Sequence, residues 1–245
     1  MLVIYLIYIR ALIFMLFLGT VCQAQIQSTD LQGAKVLSTR INNSSATGKK
    51  NEEKLKYSEI KGNCFSDKEW NAALLVLKMG GDIKLRNVKL NLHTNDIHYL
   101  DNTGKELVAL NGVSKVIFFD KKDTAKVSAV FQWFANFSNK NKEAFGQVLA
   151  EGEIQFVKNY LVSLGKQFDS GNPKPKYRFK TVTDYFIIDH GNMSHLKRIS
   201  KTAILAIIKP TREQDEWLQS NKNKLKDEAD VIAFITFCNN SLKTQ

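Results

Sequence analysis

The sequence lacks every short motif that would announce a chemistry. No serine sits in a Gly-x-Ser-x-Gly elbow, no glycine-rich loop is built to cradle a phosphate, and no Cys/His set has metal-ligand spacing. Arginines do not cluster, so the planar bidentate pattern expected of phosphate recognition is absent. Lysine supplies most of the formal charge of +11 and is scattered along the whole length. Arg10 is the only charged residue among the first 24, so the remainder carries +10. Cysteine is scarce as well: beyond Cys22 there are only Cys64 and Cys238. Neither has the neighbouring residues of a cysteine nucleophile, and the expectation is a non-enzymatic chain without a cofactor.

What is present begins with an address. Met1 to Ala24 (MLVIYLIYIRALIFMLFLGTVCQA) holds an apolar stretch after Arg10 and ends in small residues, which predicts a secretory signal peptide cut after Ala24. The apolar residues before Arg10 leave two alternatives. Residues 2–21 are long enough to remain as a membrane anchor, and Cys22 could carry a lipid. All three place the body of the protein outside the cytoplasm, as a periplasmic, outer-surface or secreted chain, and so away from nucleic acid. In that oxidising setting Cys64 and Cys238 could pair, or Cys238 could be a small buried hydrophobe within VIAFITFC.

Residues 25–56 are polar and keep no apolar period, which predicts a disordered leader. Asn42-Asn43-Ser44-Ser45 within it carries sequon-like spacing. From Trp70 to Phe119 one strand follows another, each closed by a turn signal: AALLVLKM, GGD, IKLRNVKLNL, HTND, IHYLD, NTG, KELVAL, NG, VSKVIFF. Ile83 and Leu85 share one phase while Val88, Leu90 and Leu92 share the other, so a β-bulge is expected at Arg86-Asn87. Alternation resumes in Ala125–Phe134, in two runs around Glu151-Gly152, and in Tyr177–Ile188 after a loop at Phe168–Pro175. A turn at Asp189–Asn192 and a short strand at His195–Ile199 follow. Eight to ten strands in sequence without helical crossovers predict an antiparallel β-meander over residues 57–200, strongly coiled or partly closed as a barrel.

The pattern then changes to helices over residues 201–245. Pro210 stops a short apolar helix, Thr211 and Gln214 form a capping box, and Val231, Ile232, Ile235 and Cys238 repeat at helical spacing. An α+β chain is the consequence, with the helical unit packed on the sheet. The runs GNCFSDKEW, GGDIKLRNVKLNLHTNDIHY and EWLQSNKNKLKDEADVIAFITFCNN together resemble uncharacterised exported proteins of the Bacteroidetes, over about Tyr57 to Leu242. The resemblance implies export, an envelope location and a sheet followed by helices. It carries no site residue.

Three groups of side chains merit a chemical reading. His93 with His98, and His190 with His195, lie five apart across turns and are surface candidates, with Asp96 or Asp189 as an oxygen partner if a metal were held. Glu151, Glu153, Asp184 and Asp189 include the two carboxylates that a glycoside hydrolase would need. Phe131, Trp133, Tyr177, Phe179 and Tyr185 could stack on sugar rings if their sheet face were open, and form the core if it is not. The expectation is an exported binding domain for an envelope protein or an anionic polysaccharide, acting through a sheet face or edge. A small hydrolase of envelope polymers and a membrane-anchored structural protein are the alternatives.

Overall fold

A computed structural model of the chain describes residues 39–41, 57, 60–110, 112–135, 137, 143–168 and 176–243. The expected signal peptide with its anchor and lipid alternatives, the Asn42–Ser45 run and residues 169–175 of the expected loop lie outside the described residues. Among the described residues no helix is long and apolar enough to cross a membrane.

The period-2 alternation becomes one antiparallel sheet. Its strands are β1 (Thr39–Ile41), β2 (Asn71–Leu77), β3 (Asp82–Asn91), β4 (Asp96–Leu100), β5 (Glu106–Ala109), β6 (Val113–Phe119), β7 (Val127–Ala135), β8 (Glu143–Ala150), β9 (Ile154–Gln167), β10 (Lys176–Asp189) and β11 (Asn192–Leu196). They lie in the order β1-β5-β4-β3-β2-β6-β7-β8-β9-β10-β11. The sheet is not closed, since the order is linear and ends at β1 and β11. The meander is interrupted once: β2 to β5 run to one side of β2, and β6 returns to pair on its other side. β1 lies inside the stretch expected to be a disordered leader and pairs with β5.

Two local expectations are met and one is corrected. Asn71 opposes Val88 whereas Ala73 opposes Leu85, which places the extra residue of a bulge at Arg86-Asn87. Thr211 and Gln214 form the capping box of a helix. The final hairpin, however, turns on His190-Gly191 alone, because both take positive φ (46° and 80°), the geometry of a two-residue type I′ turn. Asp189 then opposes Asn192, so the last strand starts at Asn192 and not at His195.

The core lies on both faces of the sheet: Phe134, Phe137, Ala144, Val157 and Phe186 gather on one, and the other carries its core in two parts. Over β2 to β7 it packs on itself through Leu75, Leu90, Tyr99, Val116 and Phe131. Over β9 to β11 it is covered by α1 (Lys201–Ile208), α2 (Arg212–Ser220) and α3 (Glu228–Lys243), where Phe156 and Ile187 meet Ile204, Val231, Phe234, Ile235 and Cys238. Burial of such side chains contributes roughly 1.5–3 kcal/mol each, and this holds the helices on the sheet.

Residues 60–66 form a strap between strands that the sheet order separates. The Lys61 N–H donates to the Tyr177 carbonyl (3.0 Å) and the Lys61 carbonyl accepts from Phe179 N–H (2.9 Å), both on β10. Further along the strap, Ser66 N–H donates to the Leu90 carbonyl (2.8 Å) and Leu92 N–H to the Cys64 carbonyl (2.7 Å), at the end of β3. The strap turns at Gly62, whose φ is +99° and where an added Cβ would stand 3.1 Å from the Phe179 carbonyl oxygen. Gly62→Ala therefore combines a disfavoured φ with a tight backbone contact, and is expected to cost about 1–2 kcal/mol. Thermal denaturation would show the loss, and faster hydrogen exchange at the Phe179 amide would place it at the strap.

Candidate functional site

The strands β9 and β10 are the longest in the sheet, fourteen residues each. They extend past the ends of their neighbours β8 and β11, which pair only with residues 156–159 of β9 and 185–189 of β10. The outer halves, residues 160–168 and 176–183, form a two-stranded arm. Its sequence K-Y-R-F-K at 176–180 alternates cation and aromatic. The aromatics Tyr177 and Phe179 therefore share the core-facing side with Leu164 and pack under the strap against Ile60 and Cys64.

The cations share the opposite side. Lys176 stands opposite Gln167, Arg178 opposite Gly165 and Lys180 opposite Ser163, about 6.7 Å from one to the next along the strand. Small or uncharged partners leave the long cationic side chains lying across a flat surface, and the stem of Lys180 runs 3.6 Å from where a Cβ at Gly165 would be. On the other edge of β10 the strap adds a further cation, because Lys61 bridges directly to Arg178 in parallel. Directly opposed residues of neighbouring strands point to the same face, so two like charges meet, an arrangement that costs stability. Lys61, Arg178 and Lys180 are exposed. Among the described residues none of these three has a carboxylate partner, and residues 160–168 and 176–183 contain no acid. The result is a concentrated positive surface centred on Lys61, Arg178 and Lys180.

A second polar group lies on the core side, where the self-packed half of the sheet meets the helices. The Lys158 ammonium is 2.6 Å from Glu228 Oε1, and Tyr185 donates to the same oxygen at 2.5 Å. Lys158 also rests over the rings of Tyr160 and Tyr185, and Tyr160 donates to Gln147 Oε1 at 2.6 Å. Burial works to raise the Glu228 carboxyl, but the hydrogen bonds from Lys158 and Tyr185 outweigh it and hold the group below the ordinary range. Burial likewise works against the Lys158 ammonium, and Glu228 with the tyrosines outweighs it, so its pKa rises. Every charge here is paired inside the protein, which makes the cluster a dock for the start of α3.

The sign of that linkage gives a test. A carboxyl held low in the folded state contributes stability above its unfolded pKa, and the contribution is lost as pH falls through the folded value. Glu228→Gln is expected to cost about 0.5–1 kcal/mol near neutrality, after solvent screening of a partly exposed pair. The gap to the parent should close as the solution is acidified through the carboxylate range, as urea denaturation at a series of pH values would show.

No protein-family model, curated protein or solved structure matches the chain.

The residues singled out in the sequence are dispersed by the fold. His93 Nδ1 donates to the Val162 carbonyl at 2.8 Å, whereas His98 is turned to Glu106 at 2.7 Å. The two rings are thus held by different strands, and His98 is 1% exposed and no surface residue, lying edge-on beneath Phe65. His190 pairs with Asp189 at 2.7 Å and His195 with Asp184 at 3.6 Å. Among the described residues no three His, Cys, Asp or Glu side chains gather as a metal site. Asp96 opposes Asn91 at the β3–β4 turn. Glu151 pairs with Lys115 at 2.6 Å, and Glu153 offers its carbonyl to His190 N–H at 3.3 Å. The bridge between Cys64 and Cys238 is not formed: both are free, Cys64 in the strap and Cys238 on the buried face of α3. Burial pushes both thiols up to about 12. Of the five aromatics, Phe131 and Phe179 are buried and all five share the core-facing side, so they do not make an open stacking surface. A groove of about 350 Å³ at the bulge is lined by Leu85, Arg86, Tyr99 and Asp101. Asp101 is already engaged by Thr103 and Lys105 of its own turn.

The arm cations have a signal in the sequence: in K-Y-R-F-K the alternation that puts the aromatics on one side puts the cations on the other. Lys61 had no such signal, because only the strap brings it to Arg178.

Proposed function

We propose that the protein is an exported, non-enzymatic binding domain of the cell envelope that takes an anionic glycan on the outer face of the β9–β10 arm. The observation that carries this reading is the opposition of Lys61 and Arg178, flanked by Lys180, on an arm whose described residues 160–168 and 176–183 contain no acid. Like charges placed side by side are unfavourable in the empty protein, and a polyanion relieves that repulsion. Export is supported by the apolar start Met1–Ala24 and by the likeness to exported Bacteroidetes chains. We also infer that the sheet is strongly coiled. Ala109 and Val113 are joined by three residues, a reach of at most about 14 Å. Four strand spacings in a flat sheet would separate β5 from β6 by about 19 Å. Coiling brings them together and lets the strap touch both β3 and β10.

The test is titration of the mature chain, residues 25–245, with polygalacturonate, with dextran as the neutral control. Binding to the polyuronate should weaken steeply with salt, as attraction between exposed charges does. The triple variant Lys61→Ala, Arg178→Ala, Lys180→Ala is expected to lose at least about tenfold in affinity, or 1.4 kcal/mol. A second triple with the same net charge, Lys197→Ala, Lys201→Ala, Lys224→Ala, should lose far less. Equal losses in the two triples would assign the binding to overall charge and remove the arm from the account.

A further inference from the structure

The groove at the bulge follows from where β3 and β4 part. β4 pairs with β3 only from Asn91–Asp96 to Val88–Tyr99, and Leu100 pairs with Glu106 of β5 alone. Residues 85–87 of β3 therefore run on without β4 beside them, and the bulge at Arg86-Asn87 bends them further away. The space left between these residues and the β4–β5 turn is the groove of about 350 Å³. Small-molecule sites span about 300–1,000 Å³, and the lower end of that range suits a single ring with its substituents. The floor is apolar and fixed, since Leu85 and Tyr99 belong to the main core and are 8% and 2% exposed. The rim is polar, with Arg86 and Asn87 on the β3 side and Asp101 and Asn102 on the turn side. The turn is preorganised, because Asp101 Oδ1 accepts from the Thr103 N–H (2.8 Å), the Thr103 hydroxyl (2.6 Å) and the Lys105 N–H (2.9 Å). These bonds, the Thr103 hydroxyl's above all, hold the carboxyl below its ordinary range, so it is ionised at neutral pH. All three end on one oxygen, and among the described residues Oδ2 has no protein partner. The side-chain amides of Asn87 and Asn102 have none there either.

We propose that this groove binds a single neutral sugar ring, with the sugar hydroxyls on the rim and one C–H face on Leu85 and Tyr99. The two charges of the rim, Arg86 and Asp101, are of opposite sign, so the carboxylate disfavours an acidic ligand and the guanidinium a basic one. A carboxylate oxygen only accepts, whereas a carboxamide both donates and accepts. The hydroxyl is the group that answers both: it gives its proton to Asp101 Oδ2 and exchanges donor and acceptor roles with Asn87 and Asn102. The site is separate from the arm in place and in charge preference, and does not depend on the arm's glycan reading.

The experiment is an NMR titration of the mature chain, residues 25–245, isotope-labelled at nitrogen. The probes are methyl β-D-glucopyranoside, methyl β-D-galactopyranoside and methyl α-D-mannopyranoside, with glucuronate and glucosamine as charged counterparts. At least one neutral glycoside should give saturable shifts of the Asn87 and Asn102 side-chain amide signals, and both charged sugars should bind at least fivefold more weakly. Asn87→Ala with Asn102→Ala, at two exposed positions that leave the core intact, should lower the affinity at least tenfold. Asn87→Trp, which fills the groove and keeps the rest of the rim, should abolish binding. The arm triple Lys61→Ala, Arg178→Ala, Lys180→Ala should bind the glycoside within twofold of the parent while losing polygalacturonate, so that either site can fail without the other. No saturable shift with any of the three neutral glycosides, unchanged affinity in the double-alanine or the tryptophan variant, or glucuronate or glucosamine binding as tightly as the best neutral glycoside would each overturn the proposal.

Discussion

Replacing Asn239 with alanine is expected to lower stability by about 3 kcal/mol, a fall in Tm of about 6–12 °C for a chain of this size. Asn239 sits in α3, 5% exposed, where the helix crosses the β8–β9 turn. Its Oδ1 accepts from Ile154 N–H at 2.9 Å, and its Nδ2 donates to the carbonyls of Ile154 (2.8 Å) and Glu151 (3.2 Å). One amide thus satisfies a donor and two acceptors of the main chain as a strand would. Alanine leaves a buried N–H and buried carbonyl oxygens without partners, each at a cost of about 1–3 kcal/mol. Asn239→Asp separates this from loss of volume. It keeps the acceptor and turns a carboxylate toward two carbonyl oxygens, so its defect should be largest at neutral pH and shrink as acid protonates the group. An alanine variant within 0.5 kcal/mol of the parent would mean that the apolar stripe alone docks α3.

That stripe was legible in the sequence and the clamp was not. Val231, Ile235 and Cys238 recur at helical spacing, and all three are fully buried. The bulge at Arg86-Asn87 and the cap at Thr211 were equally plain, because each is a local conflict or a local bond recorded within four residues. Closure of the strap, the pairing of Lys158 with Glu228 seventy residues away, and the encounter of Lys61 with Arg178 are all products of register between distant strands. Periodicity tells which side of a strand a residue faces, and says nothing of which strand lies beside it. The five aromatics show the same limit. Their shared side was correct, but whether that side was wet depended on the strap and the helices.

The arm carries its cations on the side away from the core, and on the proposed reading its ligand is recognised through its anions and weakened by salt. The clamp at Asn239 and the dock at Lys158–Glu228 fix the helices over the inner halves of β9 and β10. The outer halves are left to the strap, and this is why the cationic side of the arm remains open.

Replacing Asn159 with leucine is expected to raise stability by about 2 kcal/mol, the opposite sign to Asn239 for the same residue type at similar burial. Asn159 lies in the middle of β9, 0% exposed, opposite Gly146 on one side and Asp184 on the other. Among the described residues neither its Oδ1 nor its Nδ2 has a protein hydrogen-bond partner. A buried amide without a protein partner costs about 1–3 kcal/mol in protein interiors. On the same side of β9, Val157 packs with Phe134, Phe137 and Phe186, and a leucine, of the same branched shape though larger, extends that cluster. Thermal denaturation should show a gain in Tm of about 4–8 °C. Polyuronate binding should stay within twofold of the parent, because the nearest arm cation, Lys180, stands opposite Ser163, four residues further along β9. A loss of stability would show that a water molecule or ligand pairs with this amide. A loss of polyuronate affinity at unchanged stability would extend the glycan surface from the arm to its root beside Asp184 and His195.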